Sequence, residues 1–275
     1  MPQTDRQRFY DTVRAAVADI AAHGYDSAQR VERWLRLIRD AAEKAASSPE
    51  ALERMLGESL HAAYRRLVER GGLIQFNKGV SRFTIARVEP HLRAELDRRI
   101  AASANLIKLN RKSAIEKTMQ RFSGWATSIP MGGSAATNKT DTSKDVRKAL
   151  ASLPFEERRV IIDQGHKFAS SLNDILATNS GAIAGRWHSN WRQANYNFRE
   201  DHKERDSKIY AIRGSWAIDQ GIITKCDGYT DEMTQAGEEI FCRCFYEYIY
   251  NLRDMPREFI TAKGKAAAAN LRVVT

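Results

Sequence analysis

Residues 199–250 read REDHKERDSKIYAIRGSWAIDQGIITKCDGYTDEMTQAGEEIFCRCFYEYIY, and the reading of the fold turns on them. The three cysteines of the chain, Cys226, Cys242 and Cys244, all lie here. So does His202, set among Arg199, Glu200, Asp201, Arg205 and Asp206. Upstream of this stretch, apolar residues recur at helical spacing. Within it the period changes: Ile209, Tyr210 and Ile212, then Trp216, suggest a strand and a turn. Residues 240–250 form a second β-prone run through Phe241, Phe245, Tyr246, Tyr248 and Tyr250. The two runs are expected to pair antiparallel, with residues 221–239 as an excursion. The expected fold is mainly α: helical N-terminal and central regions with a small C-terminal α+β subdomain.

Toward the N-terminus, residues 4–23 place Phe9, Val13, Ala16, Val17 and Ile20 on one helical stripe that stops at Gly24. Ser27 caps a second helix through Val31, Trp34, Leu35 and Ile38. Ser48-Pro49-Glu50 starts a third, through Leu52, Leu56, Leu60, Tyr64 and Leu67, and the three are expected to form an antiparallel bundle. Residues 73–88, interrupted by Asn77-Lys78-Gly79, read as a short hairpin or else a loop, with the hairpin preferred. Pro90 then opens a helical region over 92–120 with an internal break at 103–110. Residues 128–143, SIPMGGSAATNKTDTS, have a linker's composition. A short helix over 144–151 and a long one from Pro154 follow. A helical continuation over 182–198 carries Trp187, Trp191, Tyr196 and Phe198 as a core or docking face. The expected organisation is a helical region over 1–127, a linker over 128–143, and helices plus the α+β subdomain over 144–256. A basic tail over 257–275, with Arg257, Lys263, Lys265 and Arg272, is either a docked helix or a free arm.

The chain has 275 residues, 43% of them hydrophobic and 28% charged, the balance of a folded protein with one large or two modest domains. Its net charge of +10 points to a polyanionic partner: DNA, RNA or an acidic protein surface. No apolar run approaches the ~18 residues that cross a bilayer, so no membrane partner is expected. The first residues, MPQTDRQRFY, lack the apolar core of a secretory signal. Three cysteines, two of them one residue apart, suit a reduced compartment or a metal better than a disulfide framework. Lys108, Arg111, Lys112, Lys117 and Arg121 form a basic run against a single acid, Glu116. The run reads either as a solvated helix face or as a strip turned to DNA or a protein partner.

His202, Cys226, Cys242 and Cys244 supply one imidazole and three thiols, the donor set of a tetrahedral Cys₃His zinc site. The competing reading packs Cys242 and Cys244 as small apolar groups on one face of a strand, with His202 bonded to Asp206 or a carbonyl. Glu200, Asp201, His202, Asp206 and Glu238-Glu239 also admit a metal-dependent nuclease. The sequence, however, lacks a phosphate-binding P-loop, a G-x-S-x-G elbow and an H-E-x-x-H pair. The Arg/Asp/His cluster is expected to tie the last helix to the β unit rather than to catalyse.

Arg199, His202, Arg205-Asp206, a Gly/Asp-rich middle with Gly237, and the closing Cys242-Arg243-Cys244 together resemble the phage head-morphogenesis family. These are the Mu F-like minor head proteins that sit with the portal. The signature covers about a fifth of the chain. Asp206-Ser207 stands where many relatives have Asp-Gly, and Ala236-Gly237 where they have Pro-Gly. The resemblance implies a structural minor head protein of a tailed phage, acting in head assembly with portal protein and capsid. It further implies a place in the virion head near the portal vertex, reached from the host cytoplasm, beside double-stranded DNA bound without sequence preference. Arg199, Arg205, Asp206 and Arg243 would then be motif residues of structure, not catalysis. The alternatives are a nucleic-acid-processing enzyme and a cellular non-specific nucleic-acid-binding protein.

Overall fold

The computed structural model describes residues 4–46 and 49–271. Ser48, expected to cap the third helix, and Arg272 of the tail lie outside them. The fold is mainly α with a small three-stranded antiparallel sheet near the C-terminus, as the sequence led us to expect. Two compact units are present: Met1–Leu56 with Ala101–Ile161, and Gly57–Ile100 with Ile162–Thr275.

In the first unit, α1 (Asp5–His23) starts where the Thr4 hydroxyl accepts the amide of Gln7, and its stripe of Phe9, Val13, Ala16, Val17 and Ile20 is fully buried. α2 (Ala28–Ala45) is capped by Ser27 and packs beside α1 through Val31, Ile38 and Ala42. Asp19 ties the pair together, accepting from Arg30 at 3.0 Å and from the Trp34 indole at 2.6 Å. α3 (Pro49–Tyr64) follows, and a single π turn, Arg65–Glu69, extends it.

The expected hairpin over 73–88 is absent. α4 (Gly72–Phe76) and the start of α5 (Arg82–Ser128) take its place. Asn77 is buried: its amide donates to the Leu73 carbonyl and to Asn173, and its oxygen accepts from the Tyr250 hydroxyl. Ser81 caps α5 by accepting the Thr84 amide at 3.2 Å. Residues that read as turn formers are thus a satisfied core amide and a helix cap.

Two expected helix boundaries are also missing. Pro90 lies inside α5, which runs unbroken through 103–110, and Pro154 lies inside α6 (Lys139–Asn179). An interior proline costs about 3 kcal/mol. Each large apolar side chain that is buried returns roughly 1.5–3 kcal/mol. Val88, Leu92 and Leu96 around Pro90, and Leu150, Leu153 and Val160 around Pro154, are all buried, so the stripe outweighs the proline. Residues 128–143 do not separate the units either. They end α5, turn, and begin α6 within the first unit. The turn is pinned to the end of α1 by Tyr25 N to Ile129 O, Gly132 N to His23 O and Ser134 N to Ala21 O.

In the second unit the expected helix over 182–198 gives way to β1 (Ala184–His188). This strand lies between β2 (Ile209–Ala211) and β3 (Phe245–Ile249), so the two runs expected to pair are each bonded to β1 instead. Gly185 faces both Tyr210 and Tyr248, and a Cβ there would lie 2.8 Å from the Tyr246 ring. Only glycine lets that ring cross the central strand. One sheet face carries Trp187, Tyr210, Tyr246 and Tyr248, clustered with Cys242 and Cys244. The other carries Ala184, Ile209, Ala211 and Ile249, clustered with Ile222, Ile223 and Ile260. Two short helices, α7 (Glu200–Glu204) and α8 (Trp216–Asp219), flank β2 in the chain. The described part of the tail is docked: Ile260 bridges Ile223, and α9 (Ala262–Leu271) places Ala267 against the same cluster.

Candidate metal centre

His202 is carried by α7, a helix of little more than one turn, and its side chain is only 2% exposed. Trp187 of β1 stands edge-on to the imidazole, with centroids 5.4 Å apart. Cys242 and Cys244 precede β3 and are 0% and 3% exposed. The chain reaches them through Phe241 at φ 60°, a turn that brings both thiols to the same side. Nδ1 of His202 lies 3.5 Å from Cys242 Sγ and 3.5 Å from Cys244 Sγ. All three ligand atoms fall within 4.8 Å of one another, so this buried group could hold a metal.

The sulfurs are not equivalent. The Cys244 thiol donates to Cys242, and the amides of Cys244 and Gly237 point at the same sulfur. These bonds hold the Cys242 thiol well below its ordinary range, against the cost of burial. The same hydrogen bond and burial push the Cys244 thiol up. Gly237 reaches this position at φ 85°, where a Cβ would come within 2.9 Å of Ser170.

On its far side the imidazole meets a carboxylate. Nε2 of His202 lies 3.4 Å from Glu239 Oε1, with Asp201 Oδ2 farther off at 3.8 Å. The Arg199 guanidinium sits 2.7 Å from Glu239, and the Thr234 hydroxyl donates to it at 3.0 Å. Against burial, Thr234 and Arg199 hold the Glu239 carboxyl below its usual range. Sequence reasoning placed Glu239 only in a nuclease set and missed this role. The signal available was an acid three residues before the Cys-Arg-Cys run.

The other motif residues brace the same region. Arg199 also donates to the Ile240 carbonyl, and Arg205 pairs with Asp201 at 2.7 Å while lying over Trp187. Asp206 accepts the Ser189 amide and the Trp191 indole, so it is not the partner of His202. Arg243 lies over the Tyr196 ring and donates to Gln193, and its amide donates to the Tyr196 hydroxyl. Ser207 adopts φ 69°, the left-handed conformation that favours glycine.

Two expectations about site residues are corrected. Cys226 stands apart from the cluster, half-buried against the opposite sheet face, with its thiol donating to the Thr224 carbonyl. Burial and the Asp227 charge push that thiol up to about 12, so it stays a neutral thiol. The basic run is likewise not one strip. Arg111 is buried in an ion pair with Glu157 at 2.5 Å and is closed to phosphate. Lys108 pairs with Glu53 and Arg121 donates to the Asp145 carbonyl, while Lys112 and Lys117 are exposed. Among the described residues no helix is long and apolar enough to cross a membrane. Comparison of the chain with models of known protein families, with curated proteins and with solved structures finds no match.

Proposed function

We propose that the chain is a structural minor head protein of a tailed phage, acting with the portal during head assembly and retained in the virion. The observation that supports this reading is the convergence of its motif. Arg199, His202, Arg205, Asp206, Gly237, Cys242, Arg243 and Cys244 are spread over residues 199–244, yet each makes a bond or a close packing contact in one knot. Such convergence suits a motif whose work is architecture. Four of the five carboxylates considered for a nuclease are engaged in this bracing: Asp201 by Arg205, Asp206 by Ser189 and Trp191, Glu238 by the Gln235 amide and Glu239 by Arg199, while exposed Glu200 pairs with Lys203. Zinc is the metal this reading assigns to the buried histidine–cysteine group. Exposed Lys112 and Lys117, with a net charge of +10, suit sequence-independent contact with packaged DNA.

The test is mass spectrometry of purified procapsids and virions of the phage that carries the gene, beside particles made when the gene is deleted. The chain should be found in both kinds of particle, and its deletion should lower the yield of infectious heads. Absence from both, with normal heads after deletion, overturns the proposal.

A further inference from the structure

We propose that His202 Nδ1, Cys242 Sγ and Cys244 Sγ are a complete three-ligand protein set for one zinc ion, that Glu239 is the positioning residue aiming the imidazole, and that Cys226 takes no part. The inference takes over the zinc named above and is independent of where the protein acts. Zinc binds thiolate at about 2.3 Å and imidazole at about 2.0–2.1 Å, so a tetrahedral ion sets nitrogen and sulfur about 3.6 Å apart. The chain holds both such separations at 3.5 Å. A thiol chain from Cys244 through Cys242 to Nδ1 gives hydrogen bonds within the cluster but puts no proton between Cys244 and Nδ1. A neutral imidazole nitrogen has one in-plane lone pair and accepts one well-aligned proton, whereas here two sulfurs stand equally close to it. A single ion shared among the three atoms satisfies all of them.

The surroundings fit the same assignment. With Nδ1 turned to the sulfurs, Nε2 carries the proton and faces Glu239, which Arg199 and Thr234 hold in place. A carboxylate behind a ligating histidine fixes its tautomer and ring orientation. The backbone amide of Cys244 donates to the Cys242 sulfur at 3.4 Å, as an amide does to a thiolate. Ser189 supplies a further sign. Its buried hydroxyl hydrogen-bonds the Cys244 sulfur, as a hydroxyl does to a thiolate. The ligand set is soft, two thiolates and one imidazole, which favours zinc over the hard oxygen-seeking ions. All three ligand side chains are buried, which suits a structural clip. His202 and the two cysteines are about 40 residues apart in sequence, and the metal would cross-link α7 to the chain entering β3.

The experiment uses the full chain, expressed with zinc in the medium and purified without chelator. Elemental analysis should give one zinc per chain, unchanged in Cys226→Ser. Cobalt(II) exchanged into the folded protein should show the intense visible bands of a tetrahedral ion and charge transfer from thiolate. Glu239→Gln should weaken zinc affinity by about 10–100-fold, read by competition with a chromogenic chelator, with Glu239→Asp recovering part of the loss. These variants keep every ligand, so the test survives even if Cys242→Ser fails to fold. Zinc far below one per chain in a cooperatively melting wild-type protein overturns the site. Zinc lost in Cys226→Ser overturns the three-ligand set, and unchanged affinity in Glu239→Gln overturns the positioning role. A chain that binds zinc but is absent from phage particles keeps this inference and loses the head-protein reading; the opposite pair of results does the reverse.

Discussion

Replacing Glu157 by Gln tests how the first unit is held together. Arg111 Nε lies 2.5 Å from Glu157 Oε1, and the two side chains are only 6% and 10% exposed. Neither ion has bulk water to turn to. Deleting the carboxylate charge therefore removes the ion-pair partner of a buried guanidinium, at a cost of about 3–5 kcal/mol. In a chain of this size each kcal/mol moves the melting temperature by about 2–4 °C, so Glu157→Gln should lower it by roughly 10 °C. The double variant Arg111→Met with Glu157→Leu removes both charges at similar volume. It should recover most of that loss, because desolvation offsets much of the pair's attraction. Far-UV circular dichroism melts of Arg111→Met, Glu157→Leu and the double variant give the coupling directly. A Glu157→Gln protein within about 0.5 kcal/mol of wild type would refute the reasoning, since that is the range of surface substitutions. It would return Arg111 to an exposed basic face.

Three further outcomes are expected. Ser207→Gly should stabilise the second unit by up to about 1 kcal/mol in urea melts, because a left-handed L-residue costs roughly 1–2 kcal/mol and glycine's extra unfolded-state entropy returns only part of that; a loss of stability would contradict the φ of 69°. Burial raises the carboxyl pKa of Asp174 even though the Tyr248 hydroxyl donates to it at 2.7 Å. A raised folded pKa favours the protonated form, so this group's contribution is full below the unfolded value of about 3.9 and is lost as pH rises through the folded value. Asp174→Asn should therefore raise the melting temperature at neutral pH and leave it nearly unchanged near pH ~3, and equal effects at both would count against burial as the cause. On duplex DNA, Lys112→Gln with Lys117→Gln should reduce the log–log salt slope by about 0.9 for each phosphate that is no longer neutralised. An unchanged slope in anisotropy titrations would confine both lysines to a solvated face.

The sequence by itself determined the features whose free energy is local. Thr4 and Ser27 cap their helices through amides three residues on, and the stripe from Phe9 to Ile20 repeats within one helix, so both were legible before any partner was known. The β-prone runs at Ile209 and Phe245 were legible for the same reason, as was the presence of a histidine and a Cys-x-Cys pair suited to metal. Only the tertiary structure decided what depends on distant residues. Pro90 and Pro154 read as helix starts because their local cost is plain, while the burial that overrides it belongs to other segments. Residues 184–188 read as helix because Trp187 follows helical spacing from its neighbours. They form the central strand because both other strands find their hydrogen-bond partners there. Arg111 read as one of five equivalent cations until Glu157, far along the chain, closed over it. Cys226 offers the same thiol as Cys242 and Cys244, yet the sheet sets it against the opposite face. Composition names the donors a metal could use. Which of them converge is set by strand order and by a turn at Phe241, and that is fixed by packing across the chain.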